Sequence, residues 1–320
     1  MAEISRHPVG GVDYPRTMQE FDLWFPTDDA CADYLMRVRW PGGFVCPACG
    51  GKNGWRTARR QIRCTACQRQ TSVVAGTVLQ GTRKPLRTWL QAAWYLTSQK
   101  TGGNALGLMR VTGFGSYQTA WTWLHKMRRA MVRPGRDQLG GRVEVDETYL
   151  GGKERGVDGR QTYKKAIVAV ALEVHDPKGF GRVRLRRVPD ASNQSLVGFI
   201  CDVVKPGAII LTDGWSGYDS LPSDIYSRQR VVLSSSGDPA HVALPGVHRV
   251  ASLLKRWLLG THQGAVSEKH LDYYLDEFTF RFNRRSSKAR GLLFHRLIQQ
   301  AMQTEPVTYR DITRDESKLT

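Results

Sequence analysis

Apolar and polar residues alternate with two different periods along this chain, and the period changes near residue 140. Between residues 85 and 132 apolar side chains recur at every third or fourth position, which predicts helices. Glycines at 102–103 and a Gly-Phe-Gly at 113–115 divide that region into three helices. Further on, alternation and brief apolar runs predict strands at 142–147, 164–174, 181–188, 208–213 and 226–232, with helices at 192–204 and 247–259.

The uneven distribution of charge along the chain indicates the kind of partner that it binds. The chain has 47 Lys and Arg against 29 Asp and Glu, which gives a formal net charge of +18. Residues 34–136 contain 18 of the Lys and Arg and no Asp or Glu, so the whole excess lies there. Such a block is typical of a module that binds a polyanion, and it predicts a nucleic acid as partner. A membrane surface is disfavoured because no basic helix has a broad apolar face.

Four cysteines form two CxxC pairs, Cys46-Pro-Ala-Cys49 and Cys64-Thr-Ala-Cys67, with fourteen residues between the pairs. Two such knuckles supply four thiolates in a tetrahedron, which predicts a zinc ribbon. Disulfides do not suit a reducing cytosol, and a redox pair needs only one CxxC. No ligand position stays open, so the zinc ion is expected to be structural. Arginines that cluster on the ribbon are candidates for contacts with DNA phosphates: Arg56, Arg59, Arg60, Arg63 and Arg69.

A short helix, a glycine turn and a longer basic helix between residues 104 and 132 resemble a helix-turn-helix unit. Ser116 is expected to cap the second helix. A plain helical hairpin has the same pattern, but the positive charge favours the DNA-binding interpretation. The second helix carries the candidate DNA contacts, which are Tyr117, Gln118, Lys126, Arg128 and Arg129.

The order of the later elements predicts an α/β domain. Three strands, a helix, a strand, a turn, a strand and a helix follow one another, which is the order of the ribonuclease H-like fold, a mixed sheet with helices on its faces. Because two smaller modules precede that domain, the whole chain is α+β. The predicted regions are a loose tail at 1–16, a helical lead-in and zinc ribbon at 17–75, a helix-turn-helix-like segment at 83–136, the ribonuclease H-like domain at 142–300 and a tail at 301–320.

Asp146 and Asp213 are each predicted to stand where an apolar strand ends. In a ribonuclease H-like sheet the first and fourth strands are neighbours, so the two carboxylates are expected to be adjacent. Such a pair can bridge two Mg²⁺ or Mn²⁺ ions about 3.5–4 Å apart, which suits in-line displacement at phosphorus. Taken singly, Asp146 fits a solvated strand end, and Asp213-Gly214 is also a common turn dipeptide.

Several stretches together resemble one known family. They are VEVDETYLGG at 143–152, TDGWSGY at 212–218, LKRWLLGTHQG at 254–264 and EFTFRFNRR at 277–285. They resemble DDE transposases of bacterial insertion sequences, and more narrowly the ISXO-type group with an N-terminal zinc ribbon. The likeness implies that the chain binds the double-stranded ends of an insertion sequence. It also implies metal-dependent cleavage of that DNA and transfer of the 3′-hydroxyl to target DNA, by a homodimer or larger synaptic complex.

The resemblance also implies a third metal ligand on the last predicted helix, with Lys or Arg seven residues later. Lys255 has that basic position, and the residue seven positions earlier is His248 rather than Glu. Seven residues are two helical turns, so the two side chains share a face. His248 would bind the metal ion, orient a water or move a proton, and Lys255 would lie near DNA phosphates. Imidazole suits Mn²⁺ better than Mg²⁺, and a helix-end histidine without a metal role is the alternative.

A DNA-binding regulator with an inactive nuclease-like domain is one alternative function, because the expected third carboxylate is missing. Asp238 and Glu268 are not followed by a basic residue seven positions later. Of the acids beside Asp146, Glu144 and Glu147, only Glu144 would share its face of a strand. A ribonuclease H-like nuclease or resolvase is a further alternative, and it would not require a module that recognises specific ends.

Hydropathy also bears on the location of the protein. The longest apolar run, residues 166–172, is far shorter than the ~20 residues of a membrane span and suits a buried strand. Residues 1–7 lack the apolar stretch of a signal peptide. A cytoplasmic, nucleoid-associated protein is therefore expected.

Overall fold

The computed structural model describes residues 7–132, 135–151, 165–175, 177, 179–231, 244–264 and 266–314. By their contacts the residues form two compact units. The first unit combines residues 1–133 with residues 286–320, and the second unit is the continuous segment 134–285. The first unit is therefore assembled from two stretches that flank the second unit in sequence. The domain boundaries predicted from the sequence stay predictions.

The described part of the chain contains helices and strands in both units. The helices are α1 (Met18–Trp24), α2 (Asp28–Arg39), α3 (Leu86–Ser98), α4 (Ala105–Thr112), α5 (Tyr117–Arg129), α6 (Asn193–Val203), α7 (Pro245–His262), α8 (Leu271–Phe282), α9 (Arg290–Ala301) and α10 (Tyr309–Thr313). The strands are β1 (Gly54–Arg56), β2 (Gln61–Cys64), β3 (Gln70–Ser72), β4 (Arg142–Leu150), β5 (Ala166–Val174), β6 (Phe180–Val188), β7 (Ile209–Thr212) and β8 (Ser227–Arg230). None of the helices among these residues is long and apolar enough to cross a membrane.

An aromatic cluster forms part of the core of the first unit. Phe21 of α1 meets Phe25 and Phe294 with ring centroids 4.8 Å and 5.8 Å away, and Trp94 of α3 lies 5.4 Å from Phe294. These side chains are almost completely buried, which makes them a large share of the apolar area removed from water. Because Phe294 belongs to α9, the first unit needs this later helix to complete its core.

The structure contains the two predicted helices and the glycine turn between them, which both a helix-turn-helix unit and a plain helical hairpin require. The Asn104 side chain accepts the N–H of Gly107 at 2.7 Å and so caps α4. α4 ends at Gly113, whose φ of 68° is the left-handed conformation that glycine adopts most easily. Ser116 occupies the N-cap position of α5, although its hydroxyl makes no capping hydrogen bond within the described residues.

The second unit is an α/β domain built on a five-stranded sheet with the order β6-β5-β4-β7-β8. β4 pairs antiparallel with β5, and β5 pairs antiparallel with β6. β7 is parallel to both β4 and β8. The predicted ribonuclease H-like mixed sheet is therefore confirmed, with the first and fourth of its strands side by side.

Helices cover both faces of this sheet. Val143 and Val145 of β4 belong to the apolar cluster that includes α6, whereas Val168 and Val170 of β5 belong to the cluster that includes α7 and α8. Since side chains alternate along a strand, Glu144 and Asp146 of β4 point toward the α7 side. The candidate residues on β4 are therefore fixed on a rigid, buried strand.

One predicted boundary differs from the structure in a way that affects the site. The sequence pattern predicts that the first strand ends at residue 147, but β4 continues to Leu150. The reason is its partner: all nine residues of β4 have a register partner in the long apolar strand β5. The parallel pairing with β7, in contrast, stops at Glu144. Asp146 thus lies within a strand, just beyond the point where its parallel neighbour ends.

Candidate active site and zinc centre

The register of the sheet places the two predicted aspartates at the same level. β4 and β7 pair Arg142 with Ile209 and Glu144 with Leu211. Two residues further along this register, Asp146 is level with Asp213, which follows directly after β7. Neighbouring strands lie about 4.8 Å apart, and both aspartates are partly exposed. The adjacency expected from the fold is therefore present at the level of the backbone.

His248 is also close to this pair. It lies in the first turn of α7, and its Nε2 is 3.8 Å from Oδ2 of Asp146. Two ligands at neighbouring octahedral positions, with bonds of about 2.1 Å, are about 3 Å apart. A small inward movement of either side chain would therefore let one ion reach both atoms. The identification of His248 as the third partner stays a prediction that this distance supports.

The carboxylates and the imidazole fit a divalent ion by their chemistry, but their donor atoms stand further apart than the ligands of a bound ion. Among the residues that the structure describes, the four ribbon cysteines are the only group of three or more residues whose metal-type donor atoms all lie within 4.8 Å of one another. Asp146, Asp213 and His248 would have to approach one another to hold an ion jointly. Asp238 lies outside the described residues.

Arg228 of β8 fixes the loop that carries Asp213. Its Nε donates to Thr212 Oγ1 at 2.9 Å, and its Nη2 donates to the carbonyl oxygens of Asp213 and Trp215 at 3.3 Å and 3.2 Å. Its Nη1 donates to Asp219 Oδ1 at 2.7 Å. One guanidinium group therefore holds both sides of the turn after β7, a role that no sequence pattern indicates.

Tyr218 connects this loop to β4 on the other face of the sheet. It is fully buried, and its hydroxyl donates to Glu147 Oε2 at 3.0 Å. Burial, followed by the negative charges of Glu147, Asp146 and Asp213, raises the pKa of Tyr218 well above its usual value. The Tyr218–Glu147 hydrogen bond therefore ties the loop after Asp213 to the strand that carries Asp146.

Glu144 links β4 to the helix that carries His248. Its side chain is buried, and its Oε2 accepts the backbone N–H of Val247 at 2.8 Å. Burial raises the pKa of the Glu144 carboxyl, against the effect of the N–H groups of Val247 and Gly246. A side chain on Gly246 would collide with this carboxylate, since an added Cβ would lie 2.7 Å from Oε2. Glu144 is therefore placed to position α7 rather than to bind a shared ion.

Lys255 lies on the same helix, two turns beyond His248, and is exposed. Glu268, the other acid considered from the sequence, belongs to a short 3-10 turn and accepts a hydrogen bond from Arg187 Nη1 at 3.1 Å. Glu268 is thus held in a surface ion pair with β6.

The four cysteines of the first unit come together as a zinc ribbon requires. Cys46 Sγ lies 3.7 Å from Cys67 Sγ, and Cys49 Sγ lies 3.6 Å from Cys64 Sγ. Four sulfurs bound tetrahedrally at about 2.3 Å would be about 3.8 Å apart, so the geometry fits zinc. The backbone N–H groups of Ala48 and Cys49 lower the pKa of the Cys46 thiol, whereas the pKa of Cys49, which the Gly51 N–H lowers, is raised overall by the neighbouring thiols of Cys67 and Cys64. The predicted ribbon is confirmed as a four-cysteine site on β1–β3 and their turns.

The candidate DNA contacts on the ribbon differ in their surroundings. Arg60 donates to Asp29 Oδ1 at 2.9 Å, and Arg56 pairs with Asp29 at 2.7 Å and with Asp33. The guanidinium group of Arg63 lies over the ring of Trp55, 5.7 Å from its centroid. Arg59 and Arg69 are exposed on turns. Part of the ribbon's positive charge is therefore already balanced by acids of α2.

The candidate contacts on α5 also separate into two groups. Tyr117, Gln118 and Arg129 are exposed, whereas Lys126 is half-buried and burial lowers its pKa. Arg128 is only 1% exposed, and its Nη2 donates to the Gly103 carbonyl at 3.5 Å. Arg128 therefore packs inside the first unit, because its position on α5 faces the other helices and not solvent.

Comparison with known proteins connects both sites to one family. Residues 138–283 match the model of the ISXO2-like transposase domain, and residues 26–70 match the transposase zinc-ribbon domain. A protein in transposable element ISH50 of Halobacterium salinarum is 28% identical over 279 residues, which cover 80% of this chain and 91% of that protein. A transposase-like protein of Haemophilus influenzae is 26% identical over 115 residues, or 36% of this chain and 92% of its own length. The predicted resemblance is therefore confirmed: the chain carries a region similar to a transposase zinc ribbon, followed by a region similar to the ISXO2-like transposase domain that includes the five-stranded sheet.

Proposed function

We propose that this protein is a transposase that cleaves DNA and transfers strands with divalent ions held by Asp146, Asp213 and His248. The observation that supports the proposal is the placement of these residues near one another by three separate elements. Asp146 and Asp213 each lie two residues beyond the last β4–β7 pair, Glu144 and Leu211, and His248 Nε2 lies 3.8 Å from Asp146 Oδ2. Two carboxylates and an imidazole at one edge of a mixed sheet provide suitable ligands for Mg²⁺ or Mn²⁺.

The protein's own groups then have distinct tasks. Two divalent ions bound at this edge would supply Lewis-acid activation of the attacking oxygen and stabilisation of the leaving oxygen at phosphorus. Asp146 is held by a rigid central strand, and Asp213 is held by the turn that Arg228 fixes. Glu144 fixes the start of α7 and so the distance between His248 and Asp146. Preorganised ligands of this kind lower the cost of reaching the reactive geometry.

The proposed reaction also requires DNA and further copies of the chain as partners. We propose that the first unit, with its zinc ribbon and helix-turn-helix, binds the double-stranded ends of the element. Tyr117 and Gln118 lie in the first turn of α5 and Arg129 lies in its last turn. All three are exposed, so they are the candidate residues best placed to contact DNA. Because two DNA ends must be joined to one target, a homodimer or a larger synaptic complex would be the working form.

Substitution of the two aspartates tests the proposal. Asp146→Asn and Asp213→Asn should each lower cleavage of end-containing duplex DNA by at least about 100-fold in Mg²⁺ and in Mn²⁺, while DNA binding in a gel-shift assay is kept. Asp224→Asn is a matched control, since Asp224 is an exposed acid of the same unit. It should cleave as the parent protein does. Full cleavage by either of the first two variants would refute the assignment.

His248 requires its own comparison, because it replaces the carboxylate that the wider family implies. If His248 binds an ion, His248→Ala should weaken the activating effect of Mn²⁺ more than that of Mg²⁺, since imidazole prefers the softer ion. Specific binding of the ends without cleavage by the parent protein in either ion would favour the alternative function, a DNA-binding regulator. The substitution of His for a carboxylate is the observation that keeps this alternative in consideration.

A further inference from the structure

Arg228 brings a positive charge close to one of the proposed metal ligands. Its Nη2 lies 3.3 Å from the carbonyl oxygen of Asp213. The carbonyl and the carboxylate of one residue lie within about 5 Å of each other, so an ion held by Asp213 would be within about 10 Å of this guanidinium group. A positive charge at that distance opposes the binding of a divalent cation. The side chain that fixes the turn would therefore weaken the site if no other group balanced its charge.

Asp219 is the acid that faces this charge. Its Oδ1 accepts a hydrogen bond from Arg228 Nη1 at 2.7 Å, and it also pairs with Nη2 of Arg230. Arg230 is level with Thr212 in the β7–β8 register, so its charge is near the same turn. The hydrogen bonds from Arg228 and Arg230 lower the pKa of Asp219, so its carboxyl group is ionised at neutral pH. One carboxylate therefore balances two arginines beside the Asp213 turn.

The hydrogen bonds that hold the turn do not require Asp219. Arg228 donates through Nε to Thr212 and through Nη2 to the carbonyl oxygens of Asp213 and Trp215. Only its Nη1 is directed to Asp219. The shape of the turn and the balance of charge beside it therefore depend on different contacts of one guanidinium group, and they can be altered separately.

We propose that Asp219 sets the affinity of the candidate active site for divalent cations by neutralising Arg228 and Arg230, without contact to the ion. The inference rests on the proposed function, because it takes Asp213 as a metal ligand. Asp219 is thus a positioning residue that acts through Arg228. At about 10 Å in the dielectric constant of water, one unit charge changes the affinity for a divalent ion about 4-fold, and salt reduces this factor.

A titration of the zinc-loaded full chain with Mn²⁺, followed by the electron paramagnetic resonance of free Mn²⁺, tests this role. Asp219→Asn keeps an oxygen acceptor for Arg228 but removes the negative charge. In about 20 mM salt its dissociation constant for Mn²⁺ should be at least about 3-fold higher than that of the parent protein. In about 0.5 M salt, where charges are screened beyond about 4 Å, the difference should nearly disappear. A distorted turn would weaken binding at both salt concentrations.

Arg230→Gln provides a second test with the opposite sign. Within the described residues the Arg230 side chain donates only to Asp219, so its loss leaves the hydrogen bonds of Arg228 to the turn in place. Removal of this positive charge should lower the dissociation constant for Mn²⁺ about 2- to 3-fold. In Asp219→Asn/Arg230→Gln the dissociation constant should return toward that of the parent protein. Melting temperatures check that each variant is folded.

Asp202→Asn is the matched control, because it removes a carboxylate from another ion pair of the same unit. Asp202 pairs with Arg186 at 2.7 Å near the end of α6. The loop that carries Asp219 contacts the start of α6, where the Ser220 N–H donates to Asn193 Oδ1 at 3.3 Å. About 13 Å of helix lies between these positions. The control should bind Mn²⁺ as the parent protein does at both salt concentrations.

The proposal is overturned if Asp219→Asn binds Mn²⁺ like the parent protein, if the control is weakened equally, or if the difference persists in high salt. It is also overturned if Arg230→Gln weakens binding. Failure of the proposed function gives a different result: Asp146→Asn and Asp213→Asn would then bind Mn²⁺ as tightly as the parent protein. If those two variants lose Mn²⁺ and Asp219→Asn does not, the ligand assignment stands and only the neutralising role fails.

Discussion

Replacing Glu144 with alanine is expected to loosen the first turn of α7 while the sheet stays folded. The Glu144 side chain is 6% exposed, and its Oε2 accepts the Val247 N–H at 2.8 Å. Leu244, which precedes α7, provides no capping hydrogen bond from its side chain. N–H groups in the first turn of a helix have no partner within the helix, so Glu144 satisfies one of them from the neighbouring strand.

The size of the effect can be worked out from these contacts. Loss of a capping acceptor costs about 0.5–2 kcal/mol, and a buried N–H without a partner costs about 1–3 kcal/mol. The two values describe the same lost bond, so we expect the local free energy of opening to fall by about 1.5–3 kcal/mol. Because about 1.4 kcal/mol is a factor of ten, the Val247 amide should exchange about 10- to 100-fold faster with solvent deuterium.

Hydrogen–deuterium exchange on the full chain measures this directly. Peptides that cover residues 244–250 should exchange faster in Glu144→Ala, whereas peptides from β5 should not change. Glu144→Gln keeps an acceptor of similar length and should stay within about 3-fold of the parent protein. Since His248 follows Val247, cleavage should fall in Glu144→Ala and recover in Glu144→Gln. Unchanged exchange in Glu144→Ala, or equal damage in both variants, would show that this hydrogen bond does not fix α7.

Two further predictions concern the first unit. Cys64→Ser or a chelator should remove the zinc and unfold β1–β3, which would be measured as the loss of one bound metal ion per chain and as rapid hydrogen exchange of residues 46–72. Cys201→Ser, outside the ribbon, should keep the bound zinc and the slow exchange. A ribbon that stays protected from exchange without metal would contradict the zinc assignment. His295, hydrogen-bonded to Tyr34 at 2.8 Å, has its pKa lowered by burial to about 4. Stability of the first unit should therefore be complete above pH ~6.5 and decrease by up to about 3 kcal/mol as the pH falls from about 6.5 to about 4, a loss that urea unfolding of His295→Gln should not show.

Much of the fold could be predicted because its signals are local. The apolar run at 166–172 is short and rich in β-branched residues, and it forms the central part of β5. The CxxC spacing predicts the ribbon because four thiolates on two knuckles have one favourable geometry. The neighbouring positions of Asp146 and Asp213 followed from the strand order, which the sheet confirms. In each case the information lies within a few residues or in the order of the elements.

The features that could not be predicted depend on pairing between distant segments. β4 extends to Leu150 because of its antiparallel partner, which its own sequence does not reveal. Arg228 stands in a short polar strand without apolar periodicity, and only the folded sheet brings it to the Asp213 loop. Arg128 follows a basic pattern typical of a DNA contact, yet packing of α5 buries it. Local patterns do not state which side of a polar helix or strand a neighbour will cover.

The split construction of the first unit has a consequence for synthesis on the ribosome. Domains fold as units during translation, and N-terminal ones usually fold first. Here Phe21, Phe25 and Trp94 must wait for Phe294, so the first unit cannot complete its core until α9 has been translated. The second unit, residues 134–285, is continuous and is complete in the growing chain before that point. The nascent protein therefore acquires its mixed sheet before the unit that precedes it in sequence, and a product that stops before α9 would expose an unfinished aromatic core.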